Sequence, residues 1–205
     1  MANTFAPFGL TPYGHRDGSA PTMGMSKFTM DSSYATNVFT GDLVAFSSAV
    51  PNRIVQYSSV AVEPPLGVFQ GCSFYHPTVN RVVWSAYFPA SVGSSSPVTA
   101  YVIDDPEMTF LVQASTTAVV GSSNTGYLFG AHTTGSGNTT TGRSGTYVDA
   151  TVTSLSSGFL RIWGAYAGSA PPGANGTDTT VAGQIMIVQP NGWVRNTVTV
   201  TGITS

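Results

Sequence analysis

The sequence is poor in cysteine and in charged residues. The first shortage excludes a disulfide-stabilised domain, and the second argues against a nucleic-acid-binding protein. Cys72 is the only cysteine among 205 residues, so no disulfide can form within the chain. Charged residues make up 8% of the sequence and the net charge is −2, whereas about 25% of residues are charged in ordinary soluble proteins. No basic cluster is present. Because phosphate groups are neutralised by such clusters, we expect no direct binding to nucleic acid.

Long apolar runs and helical periodicity are also missing. No apolar run approaches the about 20 residues that a membrane-spanning helix needs, so we expect no association with a membrane. Residues 1–4 lack the basic stretch of a secretory signal, which favours synthesis in a cytoplasm. Between the 23 glycines and 13 prolines, no stretch carries apolar residues at helical spacing. Helices are therefore not predicted.

What the sequence does contain is a series of short runs rich in β-branched and aromatic residues. Turn residues separate these runs at the interval that is typical of a sandwich or barrel. We therefore predict an all-β chain, folded as a sandwich or barrel. The strands are predicted at residues 42–46, 54–57, 81–84, 99–103, 108–112, 147–152, 159–163, 184–188 and 197–201.

Residues 1–30 mix large apolar side chains with prolines and glycines. Such a segment neither pairs as a central strand nor leaves its aromatic residues in water. We predict an extended N-terminal arm over residues 1–30, laid on a protein surface, followed by a β-sandwich or barrel domain over residues 31–205. The side chains expected to form a protein interface are Phe5, Phe8, Leu10, Pro12 and Tyr13.

Residues 115–146 form a second unusual segment, dominated by Gly, Ser, Thr and Asn. Residues 127–129 are an apolar island within it. The composition predicts a polar loop region within the domain. It is either a long surface loop or a loop that carries a short strand.

The only cluster of carboxylates is formed by Asp104, Asp105 and Glu107, around Pro106. Paired carboxylates can hold a calcium or magnesium ion or transfer protons. However, an aspartate followed by proline between two strands is ordinary turn chemistry, because its side chain accepts hydrogen bonds from nearby backbone N–H groups. We therefore interpret Asp104, Asp105 and Pro106 as a structural turn.

Other signals of chemistry are weak. His15, His76 and His132 share no metal-ligand spacing with one another or with Cys72. No nucleophile elbow or phosphate-binding loop is present. We predict no catalytic residue, no metal and no cofactor, and hence a protein that is not an enzyme. Cys72 is open to three interpretations, a buried small hydrophobe, a redox thiol or a nucleophile, of which burial is the most frequent in proteins.

Several stretches resemble the head decoration, or cement, proteins of tailed bacteriophages. The likeness covers about the first 115 residues and lies in the order and spacing of its parts. These parts are residues 1–3, 6–12, 41–44, 66–72, 101–106, and then Phe110 with residues 112–114. Residues 74–78 depart from the family's polar turn, and the segment 115–146 is longer and more polar than usual.

The resemblance implies a jelly-roll-like sandwich or small barrel. It also implies a structural virion protein that binds the outer surface of a capsid after synthesis in the bacterial host. Its partners would be an HK97-type major capsid protein and further copies of itself, as a dimer or trimer. It would clamp adjacent capsomers against the pressure of the packaged DNA. The alternative is a phage tail, fibre or receptor-binding β protein, although no internal repeat of fixed period is present.

Overall fold

A computed structural model describes residues 2–20, 24–58, 65–93, 97–153, 158–168 and 177–191. Within these ranges the regular secondary structure consists of strands, and the only helix is a single 3₁₀ turn, Ser122–Asn124. The strands form two sheets of six strands each, with antiparallel pairing throughout. The prediction of an all-β fold is confirmed, and the two sheets pack as a sandwich.

Each of the two large sheets has six strands. Sheet A consists of β1 (Thr11–His15), β10 (Met108–Gln113), β11 (Leu128–Phe129), β14 (Val152–Thr153), β15 (Leu160–Ala165) and β16 (Ile185–Pro190). Sheet B consists of β2 (Ser26–Met30), β4 (Leu43–Phe46), β5 (Ile54–Gln56), β6 (Gly67–His76), β7 (Arg81–Ser85) and β9 (Val98–Ile103). Sheet A has the order β1-β10-β16-β15-β11-β14, and sheet B has the order β2-β9-β6-β4-β5, with β7 paired to the second half of β6. Two short pairs complete the fold, β3 (Val38–Phe39) with β8 (Tyr87–Phe88) and β12 (His132–Thr133) with β13 (Tyr147–Val148).

The main core lies between the two sheets. Sheet A contributes side chains such as Phe110, Leu160 and Val188, and sheet B contributes Leu43 and Val68; all five are at most 1% exposed. Burying each such side chain stabilises the fold by about 1.5–3 kcal/mol relative to its exposure in water. This core therefore holds the sandwich together.

A second core covers the opposite face of sheet B. Phe69 and Cys72 of β6 and Val102 of β9 are buried there against Phe88 of β8 and Val38 of β3. Sheet B is thus covered on both faces, by sheet A on one side and by the β3–β8 pair with its flanking loops on the other. Strands covered on both faces need apolar residues at successive positions, as in β4, where Leu43 enters the first core and Val44 the second.

The described part of residues 1–30 contains two strands of the sandwich. β1 pairs with β10 and β2 pairs with β9, each as the edge strand of its sheet. Proline is tolerated on an edge strand because its missing N–H group can face solvent, which is why Pro12 can lie in β1. The extended N-terminal arm is not confirmed.

The residues before β1 are fastened to their own domain by hydrogen bonds. The Asn3 side-chain amide donates to the carbonyl oxygens of Asp178, Val181 and Ala182 at 2.9, 3.1 and 3.1 Å. The Gln113 amide donates to the Thr4 carbonyl oxygen at 2.8 Å. These bonds hold the start of the chain against sheet A.

The segment 115–146 carries more structure than its composition suggests. Leu128 and Phe129, in the apolar island, form β11 and are fully buried. The predicted strand at 147–152 is divided into β13 and β14, because Asp149 accepts hydrogen bonds from the backbone N–H and the hydroxyl of Thr151 and turns the chain. The strand predicted at 197–201 lies outside the described residues.

The buried carboxylate of Asp42 connects three parts of the fold. Its two oxygens accept hydrogen bonds from the Phe39 backbone N–H at 2.9 Å, the Gln56 amide at 2.8 Å, the Thr146 hydroxyl at 2.8 Å and the Ser144 hydroxyl. Asp42 is 1% exposed. Since a buried polar group without a partner costs about 1–3 kcal/mol, each of these donors depends on the carboxylate.

Replacing Asp42 by alanine is therefore expected to destabilise the protein strongly. Loss of the acceptor leaves several buried donors unsatisfied, so the Asp42→Ala variant should lose about 3 kcal/mol or more of unfolding free energy. Urea denaturation followed by circular dichroism measures this. The matched control is Asp17→Ala, because Asp17 is exposed and makes only local hydrogen bonds. A loss of unfolding free energy of comparable size in this control would contradict the account.

Candidate protein interface

The longest strand of the protein ends in a hairpin that projects from sheet B. The second half of β6 pairs with β7, with Ser73 opposite Trp84 and Tyr75 opposite Val82. The connecting turn is closed by a hydrogen bond from the Asn80 N–H to the His76 carbonyl oxygen at 3.0 Å. The hairpin is therefore a regular two-stranded ribbon.

One face of this hairpin, together with its turn, is apolar and exposed. Val82 is 69% exposed, Trp84 64%, Val79 49% and Tyr75 36%. Together these side chains, here called the hairpin surface, expose on the order of 400 Å², which is as large as the largest apolar patch on a typical monomer. A patch of this size is often a functional surface.

Gly71 of β6 allows Trp84 to lie flat against the ribbon. A Cβ atom at this position would lie 2.7 Å from the Trp84 ring and 2.9 Å from the Ser85 carbonyl oxygen. The backbone at Gly71 has a φ of +140°, in a region that favours glycine, and the β6–β9 register shifts at this point. Glycine at this position thus leaves room for the Trp84 ring.

The other face of the hairpin borders an open groove of about 530 Å³. Its apolar lining comes from the hairpin and from the segment that follows β7, and His76 and Arg81 contribute the polar rim. The apolar lining residues are Phe74, Val79, Val83, Tyr87, Pro89 and Val92. The hairpin therefore presents apolar surface on both of its faces.

The predicted interface residues near the N-terminus have different environments. Leu10 is 1% exposed and belongs to the main core, so in this fold it stabilises its own domain. Phe5 and Tyr13 are 43% and 48% exposed, whereas Phe8 and Pro12 are half-buried. An interface role for the four surface residues stays a prediction.

The exposed aromatic side chains near the N-terminus are oriented by aromatic neighbours. Phe5 contacts the Tyr147 ring edge to face, with ring centroids 5.1 Å apart, and Tyr13 contacts Tyr166 at 5.6 Å. Such contacts contribute about 0.5–1.5 kcal/mol beyond the burial of area. They restrain the side chains in a conformation that a partner can bind without further ordering cost.

Asp104, Asp105 and Pro106 lie in the turn between β9 and β10. The Asp105 side chain accepts a hydrogen bond from the Glu107 N–H at 2.9 Å, and the Met108 N–H donates to the Asp105 carbonyl oxygen at 3.2 Å. Asp104 accepts a hydrogen bond from the Ser26 hydroxyl at 2.8 Å. These contacts are those of a structural turn that also fastens β2.

The same turn is tied to sheet A. His15 of β1 pairs with the Asp105 carboxylate, with Nε2 3.1 Å from Oδ2. The Gln189 amide of β16 donates to the Pro106 carbonyl oxygen at 2.6 Å. Across the described ranges, no group of three or more His, Cys, Asp or Glu side chains is placed to hold a metal ion.

Cys72 lies in the second core and is fully buried. Its sulfur is 3.5 Å from the Tyr87 carbonyl oxygen, to which the thiol donates. Burial raises the pKa of the Cys72 thiol to about 12. Since the thiolate is the nucleophile, this environment keeps the thiol unreactive at neutral pH.

His132 is buried in an aromatic cluster of the main core. Its ring stacks on Tyr57 with centroids 5.4 Å apart and meets the Phe159 ring at 5.0 Å. Loss of solvation on burial lowers the pKa of His132 below its ordinary value of 6.5. The folded protein therefore holds this imidazole neutral at neutral pH.

The sequence predicted β7 but not its exposure. Residues 82–84 are three large apolar residues in succession, a pattern that is typical of a strand buried on both faces. Only the fold reveals that neither face of β7 is fully covered by the residues that the structure describes.

Comparisons of the chain with protein-family models, with curated proteins and with solved structures gave no match. No helix long and apolar enough to cross a bilayer occurs in the part of the chain that the structure describes. The case for a function therefore depends on the chain's own surfaces.

The Cys72 thiol is expected to be protected in the folded state. At pH 8 an aromatic disulfide reagent should detect almost no reactive thiol in the native protein. In guanidinium chloride it should detect one thiol per chain, because only unfolding exposes the sulfur and restores the ordinary pKa of the thiol. Rapid stoichiometric reaction of the native protein would show that Cys72 is accessible and would contradict the placement.

His132 is expected to make the protein less stable in mild acid. The pKa of His132 is lower in the folded state than in the unfolded state. As the pH falls below about 6.5, the imidazole therefore binds more protons in the unfolded chain than in the folded one, and the free energy of unfolding declines. The His132→Phe variant keeps the aromatic packing and should show a smaller loss of unfolding free energy between pH 7 and pH 5. An unchanged pH dependence would argue against a buried neutral imidazole.

Proposed function

We propose that this chain is a non-enzymatic structural protein of a phage virion, bound to the outside of the capsid, where it clamps adjacent capsomers. The observation that carries the proposal is the exposed apolar surface at the hairpin and at Phe5 and Tyr13, on a β-sandwich that has very few charges. The resemblance of the first 115 residues to head decoration proteins supplies the identity of the partner, an HK97-type major capsid protein.

The surface chemistry supports a role in protein binding. Centres of protein–protein interfaces are depleted in charge and enriched in aromatic residues, and Trp84, Tyr75, Phe5 and Tyr13 are all exposed here. Neutral hydroxyl and amide groups cost less to desolvate than charged groups. A surface of this kind is suited to permanent association.

A clamp also needs more than one binding surface. The hairpin surface lies on sheet B, whereas Tyr13 lies in β1 of sheet A and Phe5 lies in the segment before β1. When one contact opens, the other keeps the protein at a high effective concentration near its partner. Two modest apolar contacts on one molecule can therefore hold two capsomers together.

The experiment is binding to empty shells assembled from the HK97-type capsid protein encoded in the same genome. Phe5→Ser with Tyr13→Ser removes two exposed rings and leaves Leu10 and β1 in place, unlike a deletion of residues 2–13. We expect this double variant to co-sediment with shells at least tenfold more weakly, since losing two aromatic contacts costs more than about 1.4 kcal/mol.

The matched control is Val119→Ser, which alters an apolar residue that is 48% exposed at another site and should bind as the wild type does. Because the contact is expected to be apolar, wild-type binding should persist at about 1 M salt, where exposed charge pairs are screened. Absence of wild-type binding to the shells would refute the proposal, and binding to host cells instead would favour a receptor-binding protein.

A further inference from the structure

The outer edge of β7 differs from the other sheet edges of this protein. Natural proteins protect exposed edges with charges, prolines, bulges or very short strands. Here β1 has Pro12 and an irregular register, β2 has the exposed Lys27, β5 has three residues and β14 has two. All four edges are protected against pairing with another strand.

β7 has none of these protections along its middle. It has five residues, Arg81–Ser85, with no proline or glycine, and its only charge is on its first residue. Among the residues that the structure describes, β7 pairs with β6 alone. A regular apolar edge strand of this length is a template for a further strand.

We propose that β7 pairs with β7 of a second copy of this chain, antiparallel and about a twofold axis at Val83. The two six-stranded sheets B would then form one continuous sheet across the dimer. In an isologous contact of this kind, the same surface serves both copies. In a β-strand, the backbone N–H and C=O groups of alternate residues point to the same edge. With a twofold axis at Val83, the residues whose groups point to the outer edge are the same in both copies, so these groups can form hydrogen bonds with each other.

The side chains of β7 complement one another in this register. Val82 lies opposite Trp84 of the second copy, and Arg81 lies opposite its Ser85. Each Val82–Trp84 pair joins a β-branched and an aromatic side chain, which contributes about 0.2–1 kcal/mol in antiparallel sheets. A register centred on Arg81 would place like charges opposite each other, whereas an axis at Val83 pairs all five residues and avoids this.

Edge pairing joins the two strands side by side, so backbone hydrogen bonds and the side chains that meet across the axis hold the dimer together. The hairpin surfaces of the two copies, on the order of 400 Å² each, would lie next to each other on one face of the joined sheet. Phe74 and Val83, which line the groove, lie on the opposite face. Both faces of the joined sheet stay open, so the hairpin surface remains available to a further partner.

The consequence for capsid binding rests on the proposed function. A dimer joined at β7 carries two copies of Phe5 and Tyr13, one set for each of two neighbouring capsomers. Dimerisation itself is measured on the free protein without shells. A failure of the dimer and a failure of capsid binding are therefore distinguishable.

The test is sedimentation equilibrium of the purified protein and two double variants. The wild type is expected to be a dimer. Val82→Lys with Trp84→Lys places lysine opposite lysine twice across the axis and should give a monomer. Val82→Lys with Trp84→Glu places lysine opposite glutamate twice and should restore the dimer, which only the register centred on Val83 predicts.

Val119→Lys adds one charge at an exposed apolar site away from β7 and should remain dimeric. Circular dichroism and thermal unfolding confirm that each variant is folded; both altered positions are more than 60% exposed. A monomeric wild type would overturn the proposal, because the edge would then be free or covered by another part of its own chain. A dimeric lysine–lysine variant, or a lysine–glutamate variant that stays monomeric, would also overturn it.

Discussion

The structure depends on one geometric constraint: β6 is longer than the layers that cover it. Its first residues are buried on both faces, with Val68 in the main core and Phe69 in the second core. Beyond the irregularity at Gly71, the face that holds Val68 carries Ser73 and Tyr75, which sheet A does not cover. The hairpin therefore continues the regular pairing of a buried strand into solvent, and its exposed apolar surface follows from that.

Much of the fold could be predicted from the sequence because local patterns determine it. Strands such as β9 and β10 follow from runs of β-branched and aromatic residues and from the Asp-Pro turn between them. The division at Asp149 and the burial of Leu128 and Phe129 could not be predicted in this way. They depend on a side-chain hydrogen bond and on long-range packing, neither of which leaves a periodic pattern.

The candidate site was less accessible to prediction for a related reason. Apolar residues at successive positions predict a strand, but they do not tell whether a neighbouring layer reaches it. Val82 and Trp84 have the composition of a buried strand and are exposed only because sheet A ends before them. Leu10 shows the converse, since an apolar residue in a proline-rich segment, expected at an interface, fills the core of its own domain.

The central claim is that these exposed apolar surfaces exist to be covered by protein at the capsid exterior. It is tested most directly by cryo-electron microscopy of shells prepared with and without this chain. We predict added density on the outer surface at the boundaries between capsomers, with the segment that holds Phe5 and Tyr13 against the shell. Identical maps in the presence of saturating protein would contradict the account.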